Sequence, residues 1–201
     1  DIQILHRYAW ANLYHVRLSE REDLDQKMEE LFQWPDIEYV EPNYSVYLDS
    51  TVEVIDYQPM LSSVTDEKAR PPKDFLKETP TCDEAVVAVI DTGIDYEHPD
   101  LKPHLWKNQK EISDNGIDDD QNGFVDDDRG WDFANNDNDP YDDHYHGTHV
   151  SGIVLGAPSP GPSVIKVMPI KFLDKSGFGS IGGAIRSFDY AIRNGARILN
   201  N

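Results

Sequence analysis

Three shortages in the sequence each exclude a class of protein. There is one cysteine, Cys82, so no disulfide can form within the 201 residues. Only 18 lysines and arginines oppose 38 aspartates and glutamates, which gives a net charge of −20. This deficit disfavours nucleic acid and anionic membranes as partners, because both attract a basic surface. No apolar run approaches the roughly 18–20 residues that a transmembrane helix needs.

Acidic residues are concentrated in residues 111–143, which contain 13 of them and one basic residue, Arg129. Like charges at this density repel one another and normally favour a solvated loop. The segment nevertheless carries the aromatic residues Phe124, Trp131 and Phe133, which a purely solvating tail lacks. Self-repulsion together with packing residues indicates a loop that needs bound cations.

Side-chain oxygens alternate along residues 118–127, whose sequence is Asp-x-Asp-x-Asn-Gly-x-x-Asp-Asp. Alternating oxygen ligands before a turn-forming glycine are typical of the first half of an EF-hand calcium loop. Position 12 of a full EF-hand would be Arg129, which cannot bind calcium, so a shorter site is predicted. A solvated acidic turn is the alternative. The expected ligands of one Ca²⁺ are the side chains of Asp118, Asp120, Asn122 and Asp127 and the carbonyl of Phe124.

Composition divides the chain into three zones, residues 1–48, 49–83 and 84–201. The first predicts a small α/β unit, in which a strand at 12–18 precedes a helix opened by a capping box at Ser19 and Glu22. The second is interrupted by prolines and predicts a linker.

The third zone alternates strands and helices, and Pro169 is expected to break its second strand. This order predicts a doubly wound α/β fold with a mostly parallel sheet. Ligands bind beyond the carboxyl ends of the strands in such sheets. The predicted strands are 85–90, 164–172 and 196–199, and the predicted helices are 147–155 and 181–194.

Two motifs place reactive side chains at that edge of the predicted sheet. Asp91-Thr92-Gly93 follows the first buried strand directly, and His146-Gly147-Thr148-His149 begins the helix after the acidic segment. Simpler interpretations are a strand-ending turn for the first motif and a helix cap for the second. A metal site formed by His144, His146 and His149 is a further alternative, although it does not explain the glycines.

Together these motifs resemble the aspartate and histidine motifs of the subtilisin-like serine proteases (subtilases), in the same chain order. The resemblance implies that His146 is the general base and that Asp91 orients its imidazole, so we expect the two side chains within hydrogen-bonding distance. It also implies that Val164–Ser180, which contains Lys175, Ser176 and Gly177, forms a strand and loop that pair with an extended peptide substrate. An ordinary glycine-rich turn is the alternative for those three residues.

The first zone resembles part of the same family's propeptide, an inhibitor and folding template of ferredoxin-like form. Ile4–Tyr44 is similar to the second half of that domain, so the chain is expected to begin inside it. We expect this unit to pack on the catalytic half as a separate body, and residues 49–83 to contain the processing region. Secretion, or export to the periplasm, follows from the same resemblance.

The nucleophilic serine of the family lies in a Gly-Thr-Ser motif that does not occur in this sequence, and its oxyanion asparagine would follow Asn201. The chain alone is therefore expected to be inactive until the C-terminal half of the catalytic domain, from the same gene or a second chain, completes it. The resulting prediction is a calcium-stabilised serine endopeptidase whose partners are peptide or protein substrates and its own propeptide. A non-catalytic calcium-binding extracellular module or a pseudoprotease is the alternative.

Overall fold

The computed structural model describes residues 2–8, 13–19, 23–48, 84–156 and 164–201. The predicted linker at 49–83, with Cys82, lies outside the described residues. Within the ranges described, no helix has the length and apolar character of a membrane span.

The described residues form eight strands, three α-helices and one short 3-10 helix. The fold is mixed α/β with a parallel sheet, as the sequence predicts. In chain order the elements are β1 (Ile2–Tyr8), β2 (Leu13–Leu18), α1 (Leu24–Phe32), β3 (Ser45–Tyr47), β4 (Glu84–Asp91), the 3-10 helix (Lys102–His104), β5 (Trp131–Asp132), α2 (His146–Gly156), β6 (Val164–Lys171), β7 (Phe178–Ser180), α3 (Ile181–Arg193) and β8 (Ile198–Asn200).

The central sheet has four parallel strands in the order β5-β6-β4-β8. After β4 the chain forms β5 at one edge and passes through α2 to β6, which lies between β5 and β4. It then passes through α3 to β8 on the other side of β4. Such a change of direction opens a crevice at the carboxyl end of a central strand, where α/β proteins bind ligands. Asp91 is the last residue of β4 and lies at this end.

Successive residues of β4 point into two different apolar clusters. Ala88 and Ile90 belong to a cluster that includes Tyr190 of α3. Val89 belongs to a second cluster with Val167, against which α2 packs. Burial on both faces explains the continuous apolar sequence of this strand, because side chains alternate between the two faces of a sheet.

β6 runs without a break from Val164 to Lys171, so the prediction that Pro169 interrupts it was wrong. Pro169 lies opposite Val89 of β4, whereas β5 begins its pairing with β6 at Ile170. The missing N–H of proline therefore removes no ladder bond to β5.

The N-terminal unit, residues 2–48, contains the hairpin β1–β2, the helix α1 and the strand β3. β2 lies where a strand is predicted, whereas β1 is not predicted by the sequence pattern. The capping box at 19–22 does not open the helix. Asp23 is the N-cap instead, and its side chain accepts a hydrogen bond from Gln26 N at 2.9 Å.

This unit docks on the start of α3. The Tyr8 hydroxyl donates to the Gly182 carbonyl at 3.3 Å. The Gly182 N–H donates to Asn43 Oδ1 at 2.7 Å, and the Ile181 N–H donates to the Tyr44 carbonyl at 3.0 Å. In the apolar stripe of α1, Leu31 is buried but Leu24 and Phe32 are exposed, and none of them joins the two clusters of the central sheet.

Candidate active site and acidic cluster

Asp91 and His146 come together at the carboxyl end of β4. His146 is the first residue of α2, and its Nδ1 lies 2.8 Å from both oxygens of the Asp91 carboxylate. Asp91 is 6% exposed, whereas the His146 side chain is 38% exposed. A buried carboxylate that holds Nδ1 leaves Nε2 as the nitrogen that can exchange a proton with a bound molecule.

Two glycines allow these segments to approach so closely. Gly93 has a φ of 104°, and a Cβ there would lie 2.6 Å from the Pro140 carbonyl oxygen. A Cβ on Gly147 would overlap the Gly93 carbonyl oxygen. Gly147 is therefore required for the start of α2 to contact the end of β4, and Gly93 for that end to contact the backbone of Pro140 and Tyr141.

The buried Lys171, which the sequence pattern does not reveal, forms a hydrogen bond with the backbone of Thr92. Lys171 is the last residue of β6, and its ammonium donates to the Thr92 carbonyl at 2.7 Å and to the Leu173 carbonyl at 2.9 Å. It also pairs with Asp143 at 2.7 Å. Nothing in the apolar pattern of this strand marks its terminal lysine as buried.

β7 offers a strand edge next to this pair of residues, and β3 occupies it. The two strands pair antiparallel with Val46 opposite Gly179, and the Leu48 N–H donates to the Gly177 carbonyl at 2.9 Å. A Cβ on Gly179 would lie 2.6 Å from the Phe172 carbonyl oxygen. Phe172 and Leu173 in turn donate their N–H groups to the Asp91 carbonyl at 3.0 and 3.2 Å, which ties this edge to the end of β4.

The three residues predicted to bind substrate all precede this strand, in the turn that leads into it. Gly177 contacts the paired chain, whereas Lys175 and Ser176 lie in the turn that begins at Asp174. Hydrogen bonds from the N–H groups of Phe178 and Ser176 hold the pKa of Asp174 below its ordinary value. The paired residues themselves, Phe178–Ser180, end the stretch that the resemblance predicts, although nothing in their composition marks a separate strand.

Three carboxylates converge in the acidic segment. Glu111, Asp120 and Asp127 each offer an oxygen, and these oxygens lie within 4.8 Å of one another. Glu111 Oε2 is buried and has no hydrogen-bond partner. Asp127 is 0% exposed and accepts from the Tyr190 hydroxyl at 2.6 Å. Burial raises the pKa of Asp127, so this cluster favours neutralisation by a proton or a cation.

The predicted calcium ligands are only partly brought together. Asp120 and Asp127 belong to the cluster, whereas Asp118 accepts from the N–H groups of Asn122 and Gly123 at 3.0 and 2.8 Å. Asn122 donates its amide to Asp127 Oδ2 at 3.0 Å. The Phe124 ring packs edge-on against Tyr190 of the core. Glu111 was missed because it precedes the alternating motif by seven positions.

The alternative metal site at His144, His146 and His149 finds no support in the geometry. Among the described residues, the group of three or more ligand atoms close enough to share an ion is the carboxylate cluster. The His146 Nδ1 is instead engaged by Asp91.

Comparison with known proteins matches residues 83–201 to the Subtilase family, Peptidase_S8. Subtilisin-like protease 1 of Plasmodium vivax is 43% identical over 121 residues, which cover 57% of this chain and 19% of that protein. The Thermophilic serine proteinase of Bacillus sp. (strain AK1) is 28% identical over 172 residues, 83% of this chain and 37% of that protein. Halolysin of Haloferax mediterranei is 32% identical over 123 residues, 57% of this chain and 20% of that protein. The chain thus spans about a fifth of the length of the first of these relatives.

Proposed function

Because the chain belongs to the subtilase family, we propose that it forms part of a secreted serine endopeptidase that hydrolyses peptide bonds through an Asp-His-Ser triad. The observation that supports this most directly is the contact between His146 Nδ1 and the buried Asp91 carboxylate. The serine and the oxyanion donor are supplied by the C-terminal half of the catalytic domain, from the same gene or a second chain.

In this proposal His146 moves the proton and Asp91 holds the ring. His146 Nε2 accepts the proton of the serine hydroxyl as that oxygen attacks the peptide carbonyl, and returns it to the leaving amine. Asp91 stays ionised and accepts a hydrogen bond from the Nδ1–H group, which selects the imidazole tautomer and stabilises the imidazolium that forms. The 2.8 Å distances already present between the two side chains suit both roles.

The N-terminal unit acts as an intramolecular inhibitor in the same proposal. An extended peptide substrate adds to a strand edge through main-chain hydrogen bonds, as β3 does on β7. Substrate and β3 then compete for the Gly177 carbonyl and the backbone of Gly179. Lys175 and Ser176 shape the turn that presents this edge. The unit would be a partial propeptide of ferredoxin-like form.

We also propose that the acidic segment binds one Ca²⁺. Glu111, Asp120 and Asp127 would hold it, because their oxygens converge and Glu111 Oε2 is buried without a hydrogen-bond partner. Asp118 and Asn122 would close the surrounding turn, and the Phe124 carbonyl stays a ligand predicted from the sequence. When bound, the ion neutralises carboxylates that otherwise repel one another.

The proposed activity is tested in the full-length gene product with a fluorophosphonate probe, which labels an activated serine. His146→Ala should reduce labelling and peptide hydrolysis by about 10⁴-fold or more, since it removes the general base. His149→Ala, on the same helix, is the matched control and should leave both unchanged. Labelling that survives in His146→Ala would contradict the assigned role. A wild-type protein that neither labels nor hydrolyses peptides would favour the pseudoprotease.

A further inference from the structure

The carboxylate of Asp142 forms hydrogen bonds with both the Asp91-Thr92-Gly93 motif and the start of α2. It is 8% exposed and lies four residues before His146. Its oxygens accept five hydrogen bonds: from the Thr92 hydroxyl at 2.8 Å, His144 N at 3.0 Å, Tyr145 N at 2.9 Å, Thr148 N at 2.9 Å and the Thr148 hydroxyl at 2.6 Å. An ordinary helix cap bonds the first turn of its own helix. Asp142 also reaches across to the residue that follows Asp91.

Thr92 and Thr148 connect the segment after Asp91 and the start of α2 in both directions. Each hydroxyl donates to Asp142, and each accepts an N–H from the opposite segment. Thr92 Oγ1 accepts from Gly147 N at 3.0 Å, and Thr148 Oγ1 accepts from Asp95 N at 2.9 Å. The segment after Asp91 and the first turn of α2 are therefore cross-linked twice through one carboxylate.

The charge of Asp142 sets the direction of these bonds. An ionised carboxylate has no proton to donate, so both hydroxyls must point their protons at it and offer their lone pairs to the backbone N–H groups. Burial alone would raise the pKa of Asp142, but the bonds from Thr148 and from the N–H groups of Tyr145 and His144 hold it below its ordinary value. The group therefore stays ionised across the neutral range.

Asp142 also fixes a strained residue beside His146. Tyr145 has a φ of 130°, a conformation that L side chains rarely adopt. Its N–H is one of the five donors to Asp142. Strain of this kind persists where the surroundings over-determine it, and it is concentrated at functional sites.

We propose that Asp142 is a positioning residue, whose carboxylate sets the distance and orientation of His146 relative to Asp91 through Thr92, Thr148 and the Tyr145 N–H. This inference rests on the proposed function for its kinetic consequence. Its structural consequence, the geometry of the His146–Asp91 contact, does not depend on peptide hydrolysis.

The first test compares Asp142→Asn with Asp137→Asn in the full-length protein. Asp142→Asn would present an NH₂ group to one of five donors, so the network cannot be satisfied. We expect kcat to fall about 10- to 100-fold, because misplaced catalytic groups lose that much rate. KM should change less than about twofold, since β7 lies outside the network. Asp137 is exposed in the same loop, and asparagine keeps the acceptor for Asp139 N.

A second pair of variants guards against loss of folding. Thr148→Val has the same shape but lacks the hydroxyl, whereas Thr148→Ser keeps it. Valine loses both hydrogen bonds of the hydroxyl, the one to Asp142 and the one from Asp95 N. We expect Thr148→Val to lower kcat about three- to tenfold and Thr148→Ser to behave like the wild type. This pair decides the question if Asp142→Asn does not fold.

A spectroscopic measurement separates this inference from the proposed function. The downfield proton resonance of the His146 ring N–H reports its bond to Asp91 whether or not the protein hydrolyses peptides. It should disappear or shift in Asp142→Asn and Thr148→Val and persist in Asp137→Asn and Thr148→Ser. A wild type without activity but with this pattern would refute the protease and retain the positioning role. The same resonance in all four variants, or equal kinetic losses in Asp142→Asn and Asp137→Asn, would overturn the role of Asp142.

Discussion

The two regions of the molecule bury their apolar side chains in opposite proportions. In residues 84–156 and 164–201, two clusters cover both faces of the central sheet. In the N-terminal unit, Tyr8 and Leu31 are the buried apolar residues among those described, while ten of its large apolar side chains are exposed. Tyr8 also bonds Gly182 of α3. Residues 84–156 and 164–201 thus carry their own core, whereas the N-terminal unit is held through its contacts with α3 and β7.

The largest expected effect comes from truncating one isoleucine in each region. Ile90→Ala empties a site that is 1% exposed, and should lower the free energy of unfolding by about 2–5 kcal/mol. Ile4→Ala, at a site 60% exposed, should change it by less than about 0.5 kcal/mol. Urea-induced unfolding of both variants is the measurement. Equal losses would show that the two regions share one core.

If the acidic segment binds calcium as proposed, removing the ion should destabilise the fold of residues 84–201 and spare the docking of the N-terminal unit. An ion present at about 100 times its Kd adds about 2.7 kcal/mol to the free energy of unfolding. Thermal unfolding should therefore shift downward in EGTA and recover when calcium exceeds the chelator. Glu111→Gln should abolish this response. Asp114→Asn, an exposed acid of the same segment, is the control, and a midpoint indifferent to EGTA in the wild type would leave a solvated acidic loop.

Asn43→Ala should loosen the N-terminal unit alone. The change removes the acceptor of the Gly182 N–H, and a lost bond that leaves a donor unpaired costs about 1–3 kcal/mol. We expect faster proteolysis within residues 2–48 and unchanged hydrogen exchange in β4. Gln33→Ala, an exposed amide of the same unit, controls for the loss of a polar side chain. Faster exchange in β4 would mean that the regions unfold together.

Acidic pH should have the smallest effect, confined to the docking of the same unit. Burial and then the nearby Arg186 lower the pKa of His6 and His15 from the ordinary value of 6.5. Arg17 and Arg193 act in the same direction on His15 and His6 respectively, while Asp189, 3.9 Å from His6, opposes the shift.

The sign follows from proton binding. Histidines with depressed pKa values bind more protons once the unit is released, so docking is fully stable above about pH 6.5 and weakens as the pH falls. Proteolysis of residues 2–48 should therefore accelerate modestly between about pH 7.5 and about pH 5.5. His15→Gln should reduce this dependence, and a rate that slows on acidification would contradict it.

Local patterns allowed part of this structure to be predicted. β4 is buried on both faces of the sheet, and its continuous apolar sequence predicts the strand. α3 packs on one face only, and its apolar stripe predicts the helix. The motifs at Asp91 and His146 predict their meeting because each follows or begins such an element. Residues that act through distant partners escaped prediction. Glu111 joins Asp120 and Asp127 from outside the motif, and Asp142 bonds Thr92 across 50 positions.

Local signals also failed where the fold overrode them. Pro169 would end an isolated strand, but its position opposite β4 and before the start of the β5 pairing tolerates the missing N–H. The edge residues Phe178–Ser180 become a strand because β3 pairs with them. Such pairing depends on a partner more than 130 residues earlier, which no short window of sequence contains.

The pairing of β3 with β7 has a consequence for how β3 leaves the edge of β7. While residues 49–83 join β3 to β4 covalently, the strand is present at its site at a fixed local concentration, on the order of millimolar for a short tether. A single cut in that stretch makes the same strand a separate ligand, whose occupancy falls with the concentration of the protein. The same hydrogen bonds between β3 and β7 would then keep the strand bound at high protein concentration and lose it on dilution. The volume in which the protein is diluted, rather than any change at Asp91 and His146, would then set the moment at which the edge of β7 becomes free.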